Sequence, residues 1–301
     1  MSGWKLGVLG GSGLYELPGL TGARWETIES PWGAPSDAVL TGELEGVAVV
    51  FLPRHGRGHR LLPGEINTRA NIDVLKRAGC TDILSISAVG SLREDLPPGA
   101  FAVAAQYVDR TRQRPASFFG GGVPAHVSLA DPVCPRLSGL AARALRDGGI
   151  EAFEDATYLA MEGPQFSTRA ESRLYRSWGC DVIGMTAMPE ARLAREAELP
   201  YANVCMVTDY DCWRESEAPV GIEEVLAVMR RNVDLARQML RRLLASLPAV
   251  REPSPIDTCL DTAILGDPKS AGPETLRRLE AILARRLNPN VIPAEGSRSE
   301  P

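Results

Sequence analysis

Met185 and Thr186 close one apolar run, Val182-Ile-Gly-Met-Thr186, and Asp209 and Asp211 follow another, Tyr201 to Val207; residues 190–198 between them read as a helix. A thioether covers an apolar ring face, a hydroxyl donates to an anion, and a pair of carboxyl groups meets a polar edge. Together these groups suit a nucleoside. The competing explanation is an ordinary strand-to-loop junction whose Asp residues cap a turn.

Other residues suit an anion. Leu6-Gly-Val-Leu9 runs into Gly10-Gly-Ser-Gly13, a turn whose backbone N–H groups and Ser12 can face a negative charge, or which simply makes a tight strand exit. It is not a dinucleotide fingerprint, because Glu16 stands where the third glycine belongs. A second strand, residues 47–52, ends at Pro53-Arg-His-Gly-Arg-Gly-His59, so the Arg54 guanidinium fork and the His55 imidazole follow a strand end directly. A third, residues 83–90, ends in small residues, with Ser87 and Ala88 able to offer a hydroxyl and a backbone N–H. A helix over 67–77 joins the second strand to the third. This spacing implies a parallel βαβ unit, in which ligands gather at the carboxyl ends of the strands.

The rest of the chain supplies the frame. A strand is expected at 101–108, a helix at 135–146 and a strand at 156–160. The irregular segment 109–131 includes His126 and is long enough to be functional or to pack against another subunit; the subunit contact is favoured, and His126 is equally a structural residue or a ligand. Met161-Glu-Gly-Pro-Gln-Phe166 is a turn. Phe166 either stacks on a base or staples the helix entry, and Glu162 can accept from a sugar hydroxyl. Thr168-Arg-Ala-Glu171 has capping-box spacing, and residues 222–247 form a long amphipathic helix. Beyond Pro248 come a linker at 251–255, a basic helix at 275–287 and a disordered stretch at 289–301. The expected architecture is one α/β domain, residues 1–247, with a mixed, mostly parallel sheet flanked by helices, and a C-terminal extension, 248–301.

With 44% hydrophobic and 24% charged residues and a net charge of −5, the chain has the make-up of a globular protein and no electrostatic footprint for nucleic acid or an anionic membrane. No apolar run reaches the roughly 20 residues that span a bilayer, and a cytoplasmic location is expected. The six cysteines form no C-x-x-C pair and are expected to be reduced. His55 and His59 have helical spacing, but Gly56 and Gly58 argue against a helix, so no metal site is expected.

Gly10-Gly-Ser-Gly13, Pro53-Arg-His-Gly56, Gly90-Ser-Leu-Arg93, Glu162-Gly-Pro-Gln-Phe166 with Ser167-Thr-Arg-Ala-Glu171, Met185-Thr186 and Thr208-Asp-Tyr-Asp-Cys-Trp213 occur in the order seen in the 5′-methylthioadenosine phosphorylases. Over residues 5 to 247 the chain resembles this trimeric branch of the purine nucleoside phosphorylases. The resemblance implies a purine nucleoside phosphorylase-like fold and attack of inorganic phosphate, a co-substrate, on C1′ of methylthioadenosine. It implies no metal or organic cofactor, and a homotrimer with active sites near subunit contacts. The implied phosphate ligands are Ser12, Arg54, His55, Ser87, Ala88 and Thr186. Met185 would pack against the ribose, Phe166 against the base, and His126 of a neighbour with Ile222 and Val225 around the methylthio group. Asp209 and Asp211 would read the purine edge, Asp209 protonating N7 with its pKa raised by burial and by Asp211.

Adenine presents an acceptor at N7 and donors at N6, which suits one acid and one carboxylate; a 6-oxopurine presents two acceptors. Three departures stand against the family pattern. Ser87 replaces a frequent Thr, Gly184 stands where many adenine-specific relatives carry Asn, and the extension after Pro248 can alter a C-terminal contact. The alternatives are a phosphorylase of 6-oxopurine nucleosides or methylthioinosine, a hydrolytic nucleosidase, and a nucleoside-binding protein without catalysis.

Overall fold

The computed structural model describes residues 3–11, 13–14, 18–214 and 222–287, the side chains of 222–227 excepted. Ser12, the side chains of Ile222 and Val225, and the stretch 289–301 lie outside the described residues. The chain begins with β1 (Lys5–Gly10), β2 (Thr21–Glu26), β3 (Val39–Leu44) and β4 (Val47–Pro53), then α1 (Thr68–Arg77) and β5 (Asp82–Ser91). It continues through β6 (Phe101–Asp109), α2 (Pro135–Arg146), β7 (Ala152–Ala160), α3 (Arg169–Ser177), β8 (Val182–Gly184), α4 (Ala187–Glu196), β9 (Tyr201–Asp209) and α5 (Ile222–Ala245).

The sheet order is β2-β3-β4-β1-β5-β8-β7-β6-β9, and β9 returns to pair with β5, so five strands close a ring beside an open twisted sheet. Five pairings are parallel and four antiparallel, the mixed sheet that the sequence implies. β1, β4 and β5 are buried on both faces, which is why they read as continuous apolar runs. Leu9, Val50, Leu52 and Ile83 pack on one side with Ile72 and Leu75 of α1 and Leu193 of α4. Leu6, Val8, Phe51 and Ile86 pack on the other with Leu137 of α2 and Leu240 of α5. The strand pair β2–β3 was not legible: β2 is exposed along most of its length, so it carries no alternation. β3 turns into β4 through Glu45 and Gly46, both with positive φ, the two-residue hairpin geometry.

The segment 251–255 is not a linker. Arg251 pairs with the buried Asp82 and, at 2.7 Å, with Asp257, and the Trp4 indole donates to Pro248 O at 3.0 Å. α6 (Leu260–Ala263), α7 (Pro273–Leu279) and α8 (Ala284–Leu287) follow, so the helix expected over 275–287 is interrupted at 280–283. Leu260, Leu279, Ile282 and Leu283 explain the break, for they bury into the same core as α1 and α4. The irregular segment 109–131 leans on this extension: His126 N donates to Ala263 O at 2.9 Å, and Thr275 Oγ1 to Gly121 O at 3.0 Å. All six cysteines are free. Among the described residues no helix is long and apolar enough to cross a membrane, and no three His, Cys, Asp or Glu side chains cluster as a metal site.

Candidate active site

β5 organises the site because its pairing changes along its length. It leaves β1 after Ser85 and meets β8 only at Gly90. Ile86, Ser87, Ala88 and Val89 therefore present an edge to a cavity of about 240 Å³. Three residues of strand, roughly 10 Å, separate Ser87 from Gly90. The polar groups sort by charge between these points.

Near Ser85 to Ser87 stands Arg54, 2% exposed at the end of β4. Its Nε donates to Glu190 Oε2 at 2.8 Å, and its Nη2 to Ser85 Oγ at 2.7 Å and Leu9 O at 3.1 Å. Nη1 donates to Ile86 O at 3.0 Å, which uses one of its two hydrogens. Burial pulls the Arg54 pKa down, but the Glu190 charge and hydrogen bonds outweigh it, so the guanidinium stays charged. His55 and His59 stack beside it, centroids 4.2 Å apart, and both line the cavity. Burial lowers the His55 pKa to about 4, so the ring is neutral at pH 7. Its Nδ1 is 2.9 Å from Leu61 O, which fixes the proton on Nδ1 and leaves Nε2 as an acceptor. Thr186 also lines the cavity, and its hydroxyl caps no helix nitrogen, because Met188 is non-helical and the regular part of α4 begins after it.

The His55 shift predicts a pH effect. Its folded pKa lies below its ordinary 6.5, so its contribution to stability is present above 6.5 and lost as pH falls toward about 4. Urea unfolding across this window should show a shallower pH slope for His55→Gln than for the wild type.

Near Gly90 stand the carboxyl groups. Asp209 Oδ1 accepts from Asp211 N at 2.8 Å, and Thr208 Oγ1 lies 2.8 Å from Asp209 Oδ2. Burial raises both Asp pKa values. The expected charge repulsion acts on Asp211 rather than on Asp209, whose shift comes from burial alone. Asp211 lines the cavity and holds a left-handed backbone, φ 52°, and the Ser172 and Ser167 hydroxyls act on its carboxyl from behind. Gly90 makes room for this pair, since a Cβ there would stand 2.8 Å from Asp209 Oδ1.

Met185 lines the cavity with its sulfur against Gly163, where a Cβ would lie 2.5 Å from Sδ. Phe166 stands half-exposed at the rim. Of the expected site, Arg54, His55, Ser87, Ala88, Phe166, Met185, Thr186, Asp209 and Asp211 line one cavity. His126 is exposed and does not line it. Glu162 does not line the cavity, and Arg112 N, Gln113 N and Arg114 Nε donate to its oxygens.

Residues 5–245 match the family model of the phosphorylase superfamily. The chain belongs to that superfamily. It is 52% identical to S-methyl-5′-thioadenosine phosphorylase of Bradyrhizobium diazoefficiens, over 94% of this chain and 98% of that one. It is 54% identical to the protein of the same name from Rhodospirillum rubrum, over 94% and 97%. A solved methylthioadenosine phosphorylase from an antarctic soil metagenomic library superposes with a TM-score of 0.89 at 44% identity, over 94% of this chain and all of that one. The Schistosoma mansoni methylthioadenosine phosphorylase in complex with adenine gives 0.76 at 38%, over 80% and 91%.

Several residues of this superfamily member's cavity carry no mark in the sequence pattern. His59 stands out in the sequence only by its spacing from His55, and Glu190 only as a helix start. Leu14, Met206, Met229 and Val233 make an apolar wall; the last two lie on α5, beyond Ile222 and Val225. Tyr158 explains Gly184. A Cβ at Gly184 would lie 2.0 Å from the Tyr158 hydroxyl oxygen and 2.7 Å from Cζ, and Tyr158 is fully buried. An Asn cannot be accommodated beside this tyrosine without displacing it. Gly184→Ala should accordingly lower unfolding stability by about 1–3 kcal/mol, the usual cost of overpacking, as read by urea denaturation.

Proposed function

We infer that the chain catalyses phosphorolysis of 5′-methylthioadenosine to adenine and 5-methylthioribose 1-phosphate. The observation that carries this reading is one cavity in which the open edge of β5 joins a cationic and hydroxyl-bearing cluster, Arg54, His55, Ser87 and Thr186, to the carboxyl pair Asp209 and Asp211. Cleavage of an N-glycosidic bond builds positive charge on the ribose and negative charge on the purine, so an anion is needed at one end and a proton at the other.

In this reading phosphate lies against Arg54, His55, Ser87, the Ala88 backbone and Thr186, with Ser12 beside it. The neutral His55 accepts from the hydroxyl of a protonated phosphate. Met185 covers the ribose and Phe166 the base. Asp209, its pKa raised by burial, gives a proton to N7, and the Asp211 carboxyl accepts from the N6 amino group. The chain works in the cytoplasm as a homotrimer without metal or cofactor, His126 of a neighbour joining Ile222 and Val225 at the methylthio end.

The test is adenine release from methylthioadenosine with and without inorganic phosphate, with methylthioinosine and adenosine run alongside. Phosphate-dependent release, fastest with methylthioadenosine, is expected. A faster reaction with methylthioinosine would refute the base assignment, and release without phosphate would identify a hydrolase.

A further inference from the structure

β7 and β8 run parallel as far as Ala160 and Gly184, and Met161 N still donates to Gly184 O at 2.9 Å. Beyond that point the two chains part. One enters the 161–166 turn, which carries Phe166, and the other enters residues 185–188, which carry Met185 and Thr186. Carbonyls past the last ladder bond need donors from elsewhere. Without them the two turns have no fixed place relative to each other.

Arg114, from the irregular segment 109–131, reaches both turns. Its side chain is 5% exposed and does not line the cavity. Nη2 donates to Glu162 O at 2.6 Å and reaches Met161 O at 3.5 Å, while Nε donates to Glu162 Oε1 at 3.0 Å. Nη1 donates to Met188 O at 3.0 Å and to Met185 O. A guanidinium carries five N–H groups in one planar fork. Each has an acceptor here, three in the first turn and two in the second, and the last two bracket Thr186.

The clamp is itself held on both sides. Arg112 N and Gln113 N donate to Glu162 Oε2, and Ser117 Oγ and Phe118 N donate to the two oxygens of the buried Glu196 on α4, at 2.8 and 2.7 Å. A side chain whose own neighbours are fixed can place a site group to a fraction of an ångström. The turns also touch directly, since Met185 Sδ lies against Gly163 and leaves no room there for a Cβ. We propose that Arg114 is a positioning residue that clamps residues 185–188 to the 161–166 turn, and so holds the ribose contact of Met185 and the phosphate contact of Thr186 at a set distance from Phe166. The proposal rests on the phosphorolysis reading above.

Steady-state kinetics of the intact enzyme on Arg114→Lys test the clamp. Lysine keeps the charge that pairs with Glu162, but its three donors sit on one nitrogen and cannot reach both turns as the fork does. kcat/KM for methylthioadenosine should fall about 10²-fold, the scale of a misplacement of about 1 Å near the reacting atoms, and KM should rise for phosphate and for methylthioadenosine. A variant that had merely lost folded protein would show a lower kcat with both KM values unchanged. Arg114→Ala supplies an independent readout: ethylguanidinium added to the buffer restores a planar fork and should recover more activity than ethylammonium at the same concentration. Wild-type values of both KM in Arg114→Lys, or equal recovery with the two cations, would overturn the clamp while phosphate dependence of the wild type upheld the reading beneath it. A wild type indifferent to phosphate would overturn that reading, and KM for methylthioadenosine would still decide the clamp.

Discussion

Asp209→Asn should lower kcat for methylthioadenosine by about 10²- to 10⁴-fold, the range for losing a general acid, while the protein stays folded. An amide at this position can still accept from Asp211 N and lie beside Thr208, the two contacts that fix the wild-type carboxyl. It can also donate a hydrogen bond to N7, but it cannot give up a proton as the purine leaves. The loss should therefore fall on turnover more than on nucleoside affinity. Burial raises the Asp209 pKa, so the active protonated form disappears as pH rises through that value, and the wild-type rate should fall on its alkaline side. Asp209→Asn should lack this limb. Stability follows the same sign: a raised native pKa means the stabilising contribution is present below the ordinary Asp value and lost as pH rises through the native one. The variant should be no less stable than wild type at neutral pH. Single-turnover adenine release and thermal melts across pH measure both effects, and undiminished turnover would remove Asp209 from the mechanism.

Why Asp209 was legible and its supporting residues were not is a matter of reach along the chain. Asp209 and Asp211 end an apolar strand, and Arg54 and His55 end another, so chain-local pattern was enough to mark both. The mixed sheet followed from the continuous apolar runs at β1, β4 and β5, each buried on both faces. Glu190 shows the limit: its partner Arg54 lies 136 residues away, and nothing near it in sequence distinguishes it from a first-turn helix carboxylate. Gly184 shows another, since its lack of a side chain makes sense only once Tyr158 is seen to occupy that space. The buried half of the C-terminal extension was hidden for a third reason: Leu279, Ile282 and Leu283 are apolar positions in a segment whose many arginines suggest solvent. Arg285 is held at 2.6 Å by Glu198 and Arg251 by Asp257, so these charges dock the extension on the domain.

Glu190→Gln should cost about 3–5 kcal/mol of unfolding stability, the penalty for leaving one member of a buried ion pair alone. Glu190 and Arg54 are both 2% exposed at their side chains, with Nε and Oε2 2.8 Å apart. Glu190 Oε1 also accepts from Arg54 Nη2 at 3.2 Å and from Tyr201 Oη at 2.8 Å, so three donors converge on the one carboxylate. Glutamine preserves the volume and one oxygen, and thus isolates the charge from the packing. The Arg54 guanidinium then faces the cavity with its counter-charge gone and its backbone partners, Leu9 O and Ile86 O, still in place. A bound anion should replace part of the missing charge, so inorganic phosphate should raise the melting temperature of Glu190→Gln by more than it raises that of wild type. This separates the two roles of the pair. If Glu190 only orients Arg54, phosphate stabilises the variant less than wild type; if it mainly neutralises a buried cation that an anion can also neutralise, phosphate stabilises it more. Thermal melts over a phosphate series, with sulfate as a second anion and chloride as the ionic-strength control, distinguish the two. The structure favours the second outcome, because Ser85, Leu9 and Ile86 already hold the guanidinium in position without Glu190.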